Sequence, residues 1–387
     1  MLRSKYRRLA IVMAGTLIAA LAAGCTASPS ESSPSESEVT SSPSASASGG
    51  ESSASGVDLS KIPEGCRIGF ANREITADSN REIIEGVREV VEPAGCTLEI
   101  TDAQGDQTTH NNNIESLINS GVTALEIQLG DPNQMASIVA KAVQGNIPVV
   151  TSSVGSLTPG AITDVNGDET LMGTLLARVL LGSINYNGKV LAFWVPGAPL
   201  LETRLRMLEA VAADYPNVEI QRVPTEHSPA KVQSQMEALL AANAPGTIAA
   251  VWGAYDQLAS GAVQAIQQAG RSDEIKVGGI DFDRASIQML AGENSPFVVS
   301  LVQDAHNIGT TVGEVLLRAI TGDDLSDLGV STFTRTWIVT RHNLVASAEQ
   351  RYGAGIWEEL SLDPAEIASK YVQDQDITVM RPTLTFG

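Results

Sequence analysis

At 387 residues the chain exceeds the length at which a single hydrophobic core keeps growing, so two lobes are expected. Its apolar content of 43% is that of a globular protein, and aromatics are sparse at 4%. A formal net charge of -20 argues against nucleic-acid binding, which needs a basic face to release counterions from phosphates.

The first eight residues carry Arg3, Lys5, Arg7 and Arg8, and residues 9–21 follow as an uncharged run of 13. That run is too short to span a bilayer as a helix and has the length of a secretory signal's apolar core. It closes with Leu21-Ala22-Ala23-Gly24-Cys25. This resembles the lipobox of bacterial lipoproteins, although leucine stands four residues before the cysteine where three is commoner. The resemblance implies a signal peptide over residues 1–24 and diacylation of Cys25, and two acyl chains suffice for stable anchoring. An ordinary signal with an incidental cysteine is the other reading. Residues 26–56 hold 14 Ser among 31 residues, with four Glu. They bury too little apolar surface to offset their ordering entropy. Residues 25–56 are therefore expected to be a lipidated cysteine and a disordered tether, spanning roughly 30 Å root-mean-square.

From Cys66 onward, strand and helix patterns alternate. Apolar runs at 68–71, 98–101, 124–129, 147–151 and 162–165 read as strands of a first set. Between them Ile83, Ile84, Val87, Val90 and Val91 share one helical face, as do Met135, Ile138, Val139, Ala142 and Val143. A second set begins with a helix near 168–181 and has strands at 189–195, 218–223, 248–252 and 275–280. A helix near 284–290, a strand at 297–303, a long helix near 307–320 and a strand at 334–340 follow. In the remaining tail Ile356, Leu360, Ile367 and Tyr371 suggest one or two short helices lying on a lobe. Alternating βα units imply parallel sheets with helices on both faces and right-handed crossovers.

Two features of this pattern bear on chemistry. The run 275–283, Ile-Lys-Val-Gly-Gly-Ile-Asp-Phe-Asp, ends abruptly in acid. Asp281 would sit at a strand's carboxyl end, the edge where open α/β sheets bind ligands, unless it only caps the next helix. Cys66 and Cys96 each lie two residues before a strand. If those strands are parallel neighbours, both sulfurs hang from one end of the sheet, and a disulfide is geometrically reasonable in an oxidising compartment. Two free thiols are the alternative.

No Gly-x-Ser-x-Gly elbow, Walker A loop or Gly-x-Gly-x-x-Gly follows any strand. His110, His227, His306 and His342 are scattered without metal-ligand spacing. No cofactor, metal site or enzymatic activity is expected.

Several phrases, in their order and spacing, resemble the type I periplasmic binding proteins, in the branch of ribose-like sugar-binding subunits of ABC importers. They are Ile68-Gly69-Phe70 before a helix with Gly86, then Asn146-Ile147-Pro148-Val149-Val150, then Asp168-Glu169 with Gly173. Arg204-Leu205-Arg206, Val251-Trp252 leading to Asp256, Val277-Gly278-Gly279-Ile280-Asp281, and Gln303 ahead of a long helix complete the set. The resemblance covers about 70% of the chain, from Ile68 to Asn343. It implies an α/β fold of two Rossmann-like lobes with parallel sheets joined by a three-crossing hinge, the crossings near 165–168, 303–304 and 331–333. Residues 57–167 with 304–331 would form an N-terminal lobe and 168–303 with 332–345 a C-terminal lobe. Residues 346–387 would be a C-terminal extension.

The resemblance also implies that Asp281 accepts hydrogen bonds from sugar hydroxyls. It makes Gln303 a hinge amide touching the ligand and Arg206 a donor to ring or hydroxyl oxygens. Elsewhere the sequence departs from the ribose-like pattern. Ala77, Ser79 and Asn80 replace Asn and stacking aromatics, and Ser153-Val154 replaces an Asp-Arg pair. Tyr255 replaces an Asn, His227 an aromatic, and Arg73 a small polar residue. These departures argue against ribose itself. Arg73 with Arg206 would suit an acid or a phosphorylated sugar, or Arg73 simply pairs with Glu74 or Asp102. Tyr255, Trp252 and Trp194 supply either a stacking face or core. The candidate ligand residues are thus Asp281, Gln303, Arg206, Arg73, Tyr255, Ser153, His227 and Trp252.

The function so implied is capture of a small polar ligand, a sugar or sugar derivative, in an interlobe cleft. Delivery would be to ABC permease transmembrane subunits from the extracytoplasmic face of a bacterial membrane. A ligand-sensing partner of a chemoreceptor or sensor kinase is the alternative. A LacI-like repressor shares the fold, but it needs a DNA-binding helix pair where this chain has a signal-like segment.

Overall fold

The computed structural model describes residues 57–371. The expected signal peptide and lipidated Cys25, the expected tether up to residue 56, and residues 372–387 of the expected C-terminal extension lie outside the described residues. In chain order the first lobe contributes β1 (Arg67–Asn72), α1 (Asp78–Val91), β2 (Thr97–Asp102), α2 (Gln107–Ser120), β3 (Ala124–Gln128), α3 (Pro132–Gln144), β4 (Val149–Ser152) and β5 (Asp164–Asn166). The second contributes α4 (Glu169–Ser183), β6 (Gly188–Trp194), α5 (Pro199–Ala212), β7 (Val218–Pro224), α6 (Pro229–Ala242) and β8 (Ile248–Gly253). It continues with α7 (Asp256–Gln268), β9 (Lys276–Asp281), α8 (Arg284–Ala291) and β10 (Phe297–Val302). Then come α9 (Ala305–Thr321), β11 (Ser331–Phe333), β12 (Ile338–Val339), α10 (Leu344–Tyr352), α11 (Ile356–Leu360) and α12 (Pro364–Lys370).

Two six-stranded sheets result, ordered β11-β5-β4-β3-β1-β2 and β12-β10-β9-β8-β6-β7. The first five strands of each set thus take the same spatial order, and the pairings are parallel except β10 with β12. Central strands are buried on both faces, as the apolar runs require: Ile68, Phe70, Val251 and Ile280 are fully enclosed. Helices start where an acid or serine follows a strand. Asp106, Asp168, Asp283 and Asp304 each accept a backbone N–H of the first helical turn, satisfying a donor that would otherwise lack a partner. α1 and α9 cross closely because both carry glycine at the contact. A Cβ at Gly86 would lie 2.4 Å from the His306 carbonyl, and one at Gly309 would lie 2.1 Å from the Ile83 carbonyl. Cys66 and Cys96 are disulfide-bonded where the paired strands β1 and β2 begin.

Three crossings join the lobes. The chain leaves β5 for α4 at Gly167, and leaves β10 for α9 at Gln303–Asp304. The third crossing lies later than the sequence suggested. Residues 331–333 pair with β5 in the first sheet, Ser331 opposite Asp164, and only Ile338–Val339 join the second. The expected single strand over 334–340 is broken because its polar residues bridge the lobes. The Thr334 amide donates to the Asn166 carbonyl at 2.9 Å, Arg335 Nε to Asp304 at 2.9 Å, and the Thr336 hydroxyl to the Val302 carbonyl at 2.7 Å. Among the described residues the tail forms three helices rather than one or two. Leu344, Ala348, Ile356, Trp357 and Ile367 pack it onto the core of the second lobe. No helix among the described residues is long and apolar enough to cross a membrane.

Candidate ligand-binding cleft

Strand β9 delivers Asp281 to the carboxyl edge of the second sheet, and the backbone turns sharply there. Asp281 has φ 130° and Phe282 φ 54°, both in the region that side chains disfavour. The turn is held from several sides. The Phe282 amide donates to Asp256 Oδ2 at 2.8 Å and to the Ser300 hydroxyl at 3.1 Å. The helix that follows is capped by Asp283, which accepts the Ser286 amide at 2.8 Å. Asp281 is therefore not the cap. Its side chain is almost enclosed, yet among the described residues no donor hydrogen-bonds its carboxylate. Burial pushes the Asp281 carboxyl well above the usual range; Arg204 opposes this, and Asp256 and Asp283 add to it. A desolvated acceptor without a donor is costly unless something supplies hydrogen bonds.

The arginine that faces this acid is Arg204, not Arg206. Arg204 is fully buried, grips Glu169 with two N–H groups and donates to the Ala254 carbonyl at 2.8 Å. Two residues along a helix turn a side chain through roughly 200°, so Arg206 points to solvent on α5. There it donates to the Thr203 hydroxyl at 2.8 Å. Trp252 is likewise corrected. It lies one residue before the carboxyl end of the central strand β8, but it is fully buried opposite Ala192 and Gly278 and belongs to the core of the second lobe. Trp194, at the end of β6, is also mostly buried and donates its indole N–H to Glu202 at 3.1 Å.

Of the other candidates, Tyr255 and His227 meet, and Arg73 lies within electrostatic reach of His227. The Tyr255 hydroxyl, just before α7, lies 2.9 Å from His227 Nδ1. Burial raises the Tyr255 phenol, with Asp281 and, from the first lobe, Glu74 acting in the same direction. Burial lowers the His227 imidazole, as does the positive charge of Arg73 across the cleft. Arg73 donates to the Gly105 carbonyl at 3.3 Å and, among the described residues, pairs with neither Glu74 nor Asp102. Gln303 is buried at the second crossing and reaches the Asn166 side chain of the first crossing at 3.4 Å. Ser153, with φ 51°, directly follows β4 and is buried.

Sequence reading missed the polar residues at the carboxyl edge of the first sheet. Asn72 closes β1 and Gln128 closes β3, opposite one another in register. Gln128 donates to Asn80 at 3.2 Å, and Asn80 donates to the Glu74 carbonyl at 2.6 Å. Asn72 Nδ2 and Gln128 Oε1 are buried without a partner among the described residues. Deeper in β3, Glu126 accepts from the Ser152 hydroxyl, and burial pushes its carboxyl well above the usual range. The available signal was an acid and an amide two apart inside an otherwise apolar strand. The lobes also touch beside the cleft, where a Cβ on Gly155 would stand 3.1 Å from Leu200 Cα. Among the described residues no cluster of three His, Cys, Asp or Glu is placed to hold a metal.

Comparisons with known proteins agree with this architecture. The family described as periplasmic binding protein domain matches residues 68–324. The ribose import binding protein of Escherichia coli (strain K12) is 25% identical over 241 residues, covering 62% of this chain and 79% of that one. The D-galactose/methyl-galactoside binding periplasmic protein of Haemophilus influenzae is 25% identical over 287 residues, covering 70% and 82%. Among solved structures, the 5-methylthioribose transporter solute binding protein of Thermotoga lettingae superposes with a TM-score of 0.69 at 24% identity. It covers 80% of this chain and 97% of its own. A Bacillus halodurans solute binding protein with bound myo-inositol gives 0.66 at 19% identity, over 77% and 98%. With two paired sheets and a family match over residues 68–324, most of the described residues, the protein belongs to the periplasmic binding protein domain family, the non-enzymatic solute-binding components of ABC sugar importers.

Proposed function

We propose that this protein captures a small polyhydroxylated ligand, a sugar, polyol or close derivative, between its lobes and delivers it to an ABC permease. The observation that carries the reading is the Asp281 carboxylate: buried, unpartnered among the described residues, and held at the mouth of a strained turn beside Arg204. Vicinal hydroxyls supply the missing donors, each charge-assisted bond contributing about 1.5–3 kcal/mol when desolvated. Asn72, Gln128, Arg73 and Glu74 offer donors and acceptors from the opposite edge. Ligand touching both edges stabilises the closed form by its differential affinity, which the permease then reads. The names of the relatives, which mention ribose, galactose, 5-methylthioribose and myo-inositol, support a polyhydroxylated class.

The lipobox supports an anchored protein on the extracytoplasmic face of the membrane, with Cys25 as the lipidated residue. Calorimetric titration of the full chain against pentoses, hexoses, inositols and acyclic polyols tests the binding role. One tight ligand is expected, its affinity falling in Asp281→Asn. Silence across the whole set would overturn the reading. Fatty-acid labelling that persists in Cys25→Ser would remove the anchor.

A further inference from the structure

The C-terminal helices reach the cleft through the last two residues of α10. The Arg351 side chain is 3% exposed, donates through Nη2 to Glu82 at 2.7 Å and through Nη1 to the Asp281 carbonyl. Beside it the Tyr352 hydroxyl donates to the Phe282 carbonyl at 3.1 Å. Those carbonyls belong to the two consecutive residues held at positive φ. Glu82 lies on α1, in the other lobe, and its second oxygen accepts from Arg284 of α8 at 3.2 Å. Arg284 also pairs with Glu359 of α11 and stands 4.8 Å over the Tyr352 ring. One carboxylate of the first lobe is thus gripped by two guanidinium groups of the second.

We propose that the C-terminal extension is a closure latch and that Arg351 is a positioning residue of the binding site. It braces the strained Asp281–Phe282 turn in every state, and it engages Glu82 only when the lobes close. The proposal rests on the hinged-lobe reading given above. A planar fork suits this double duty, since it holds two acceptors in fixed directions. Closure brings Glu82 to two cations of the second lobe, of which Arg284 keeps its own partner Glu359 in the same lobe. Opening removes that shared counter-charge, so Glu82 favours the closed form and slows ligand release.

The test uses the full chain and Glu82→Gln, with Arg351→Lys as the second variant. X-ray scattering reports lobe opening without ligand, and stopped-flow titration with D-ribose and myo-inositol reports dissociation. Glu82→Gln is expected to keep its melting temperature within a few degrees while raising the radius of gyration. Its dissociation should be about tenfold faster, an effect that shrinks in 1 M salt. Arg351→Lys keeps the charge but loses the fork, and should accelerate release; combined with Glu82→Gln the effects should be less than additive, the remainder being the loosened Asp281–Phe282 turn. A Glu82→Gln protein with wild-type radius and dissociation rate at low salt would overturn the latch. So would a lowered melting temperature with an unchanged open-to-closed distribution. If neither compound binds the wild type, the dissociation measurement passes to the ligand found in the wider titration, and the scattering comparison still decides the latch.

Discussion

Arg204 and Glu169 form an ion pair inside the second lobe, their side chains 2% and 6% exposed. Glu169 sits in the first turn of α4, and α5 can bring Arg204 against it because Gly173 faces the contact. A Cβ there would stand 3.0 Å from Arg204 Cα. Burial raises the Glu169 carboxyl and Arg204 pulls it back, so the pair survives only as a unit. Breaking it leaves a charge stranded in the core. Glu169→Gln is expected to lower stability by about 3–5 kcal/mol, read by denaturant unfolding.

The two arginines of α5 make opposite predictions. Arg206→Ala removes a solvent-facing group bonded to Thr203 and should leave ligand affinity within about twofold. Arg204→Gln takes away the charge facing Asp281 and should weaken binding at least tenfold, measured by calorimetry on protein shown to be folded by circular dichroism.

Asp281→Asn should cost about 10- to 100-fold in affinity, the worth of about one charge-assisted bond. The wild type carries a further signature. Burial holds the Asp281 carboxyl well above its ordinary range, while hydroxyl donors favour the ionised form. Binding should therefore release a proton and weaken as pH falls below that raised value. Calorimetry in buffers of different ionisation enthalpy would detect the proton, and Asp281→Asn should abolish it.

Stability should also vary with pH through two enclosed acids. Burial and the neighbouring Asp283 push Asp256 up to about 7, and burial pushes Asp164 up to about 6. Both folded-state values exceed the ordinary 3.8, so between roughly pH 4 and 7 the folded chain binds more protons than the unfolded one. Their contribution is complete at low pH and lost as pH rises through 6 to 7. Melting temperature should thus rise by several degrees when pH is lowered from 8 to 5.5. That slope should flatten in Asp256→Asn, whose amide oxygen still accepts from the Phe282 amide.

The Cys66–Cys96 bond closes a loop with a sequence separation of 30 residues. Loop-closure entropy predicts that the Cys66→Ser, Cys96→Ser double variant loses roughly 3–4 kcal/mol. Because the bond lies at the amino ends of β1 and β2, away from the cleft, ligand affinity should be unchanged. Parallel unfolding and binding titrations check both halves.

The Cys66–Cys96 bond was one of two readings open in the amino-acid order, whereas the order of elements through α9, the paired sheets and the position of Asp281 at a strand's carboxyl end were legible there. Each follows from local periodicity, because buried parallel strands and amphipathic helices announce themselves within a few residues and successive βα units stack predictably. The side-chain assignments that failed did so for want of phase and depth. Arg204 and Arg206 are indistinguishable on a line, and only the packing of α5 against α4 shows which one the core receives. Trp252 lies one residue from the end of β8, where a side chain can face either the cleft or the core, and only the packing of the second lobe shows that it is fully enclosed. Arg351 and Glu82 stand 269 residues apart. No local pattern joins them, because their pairing arises from how the tail folds back over α8 and how the two lobes close. Tertiary structure alone decided which charges meet, since a long-range ion pair depends on the three-dimensional positions of elements and not on the spacing of residues within them.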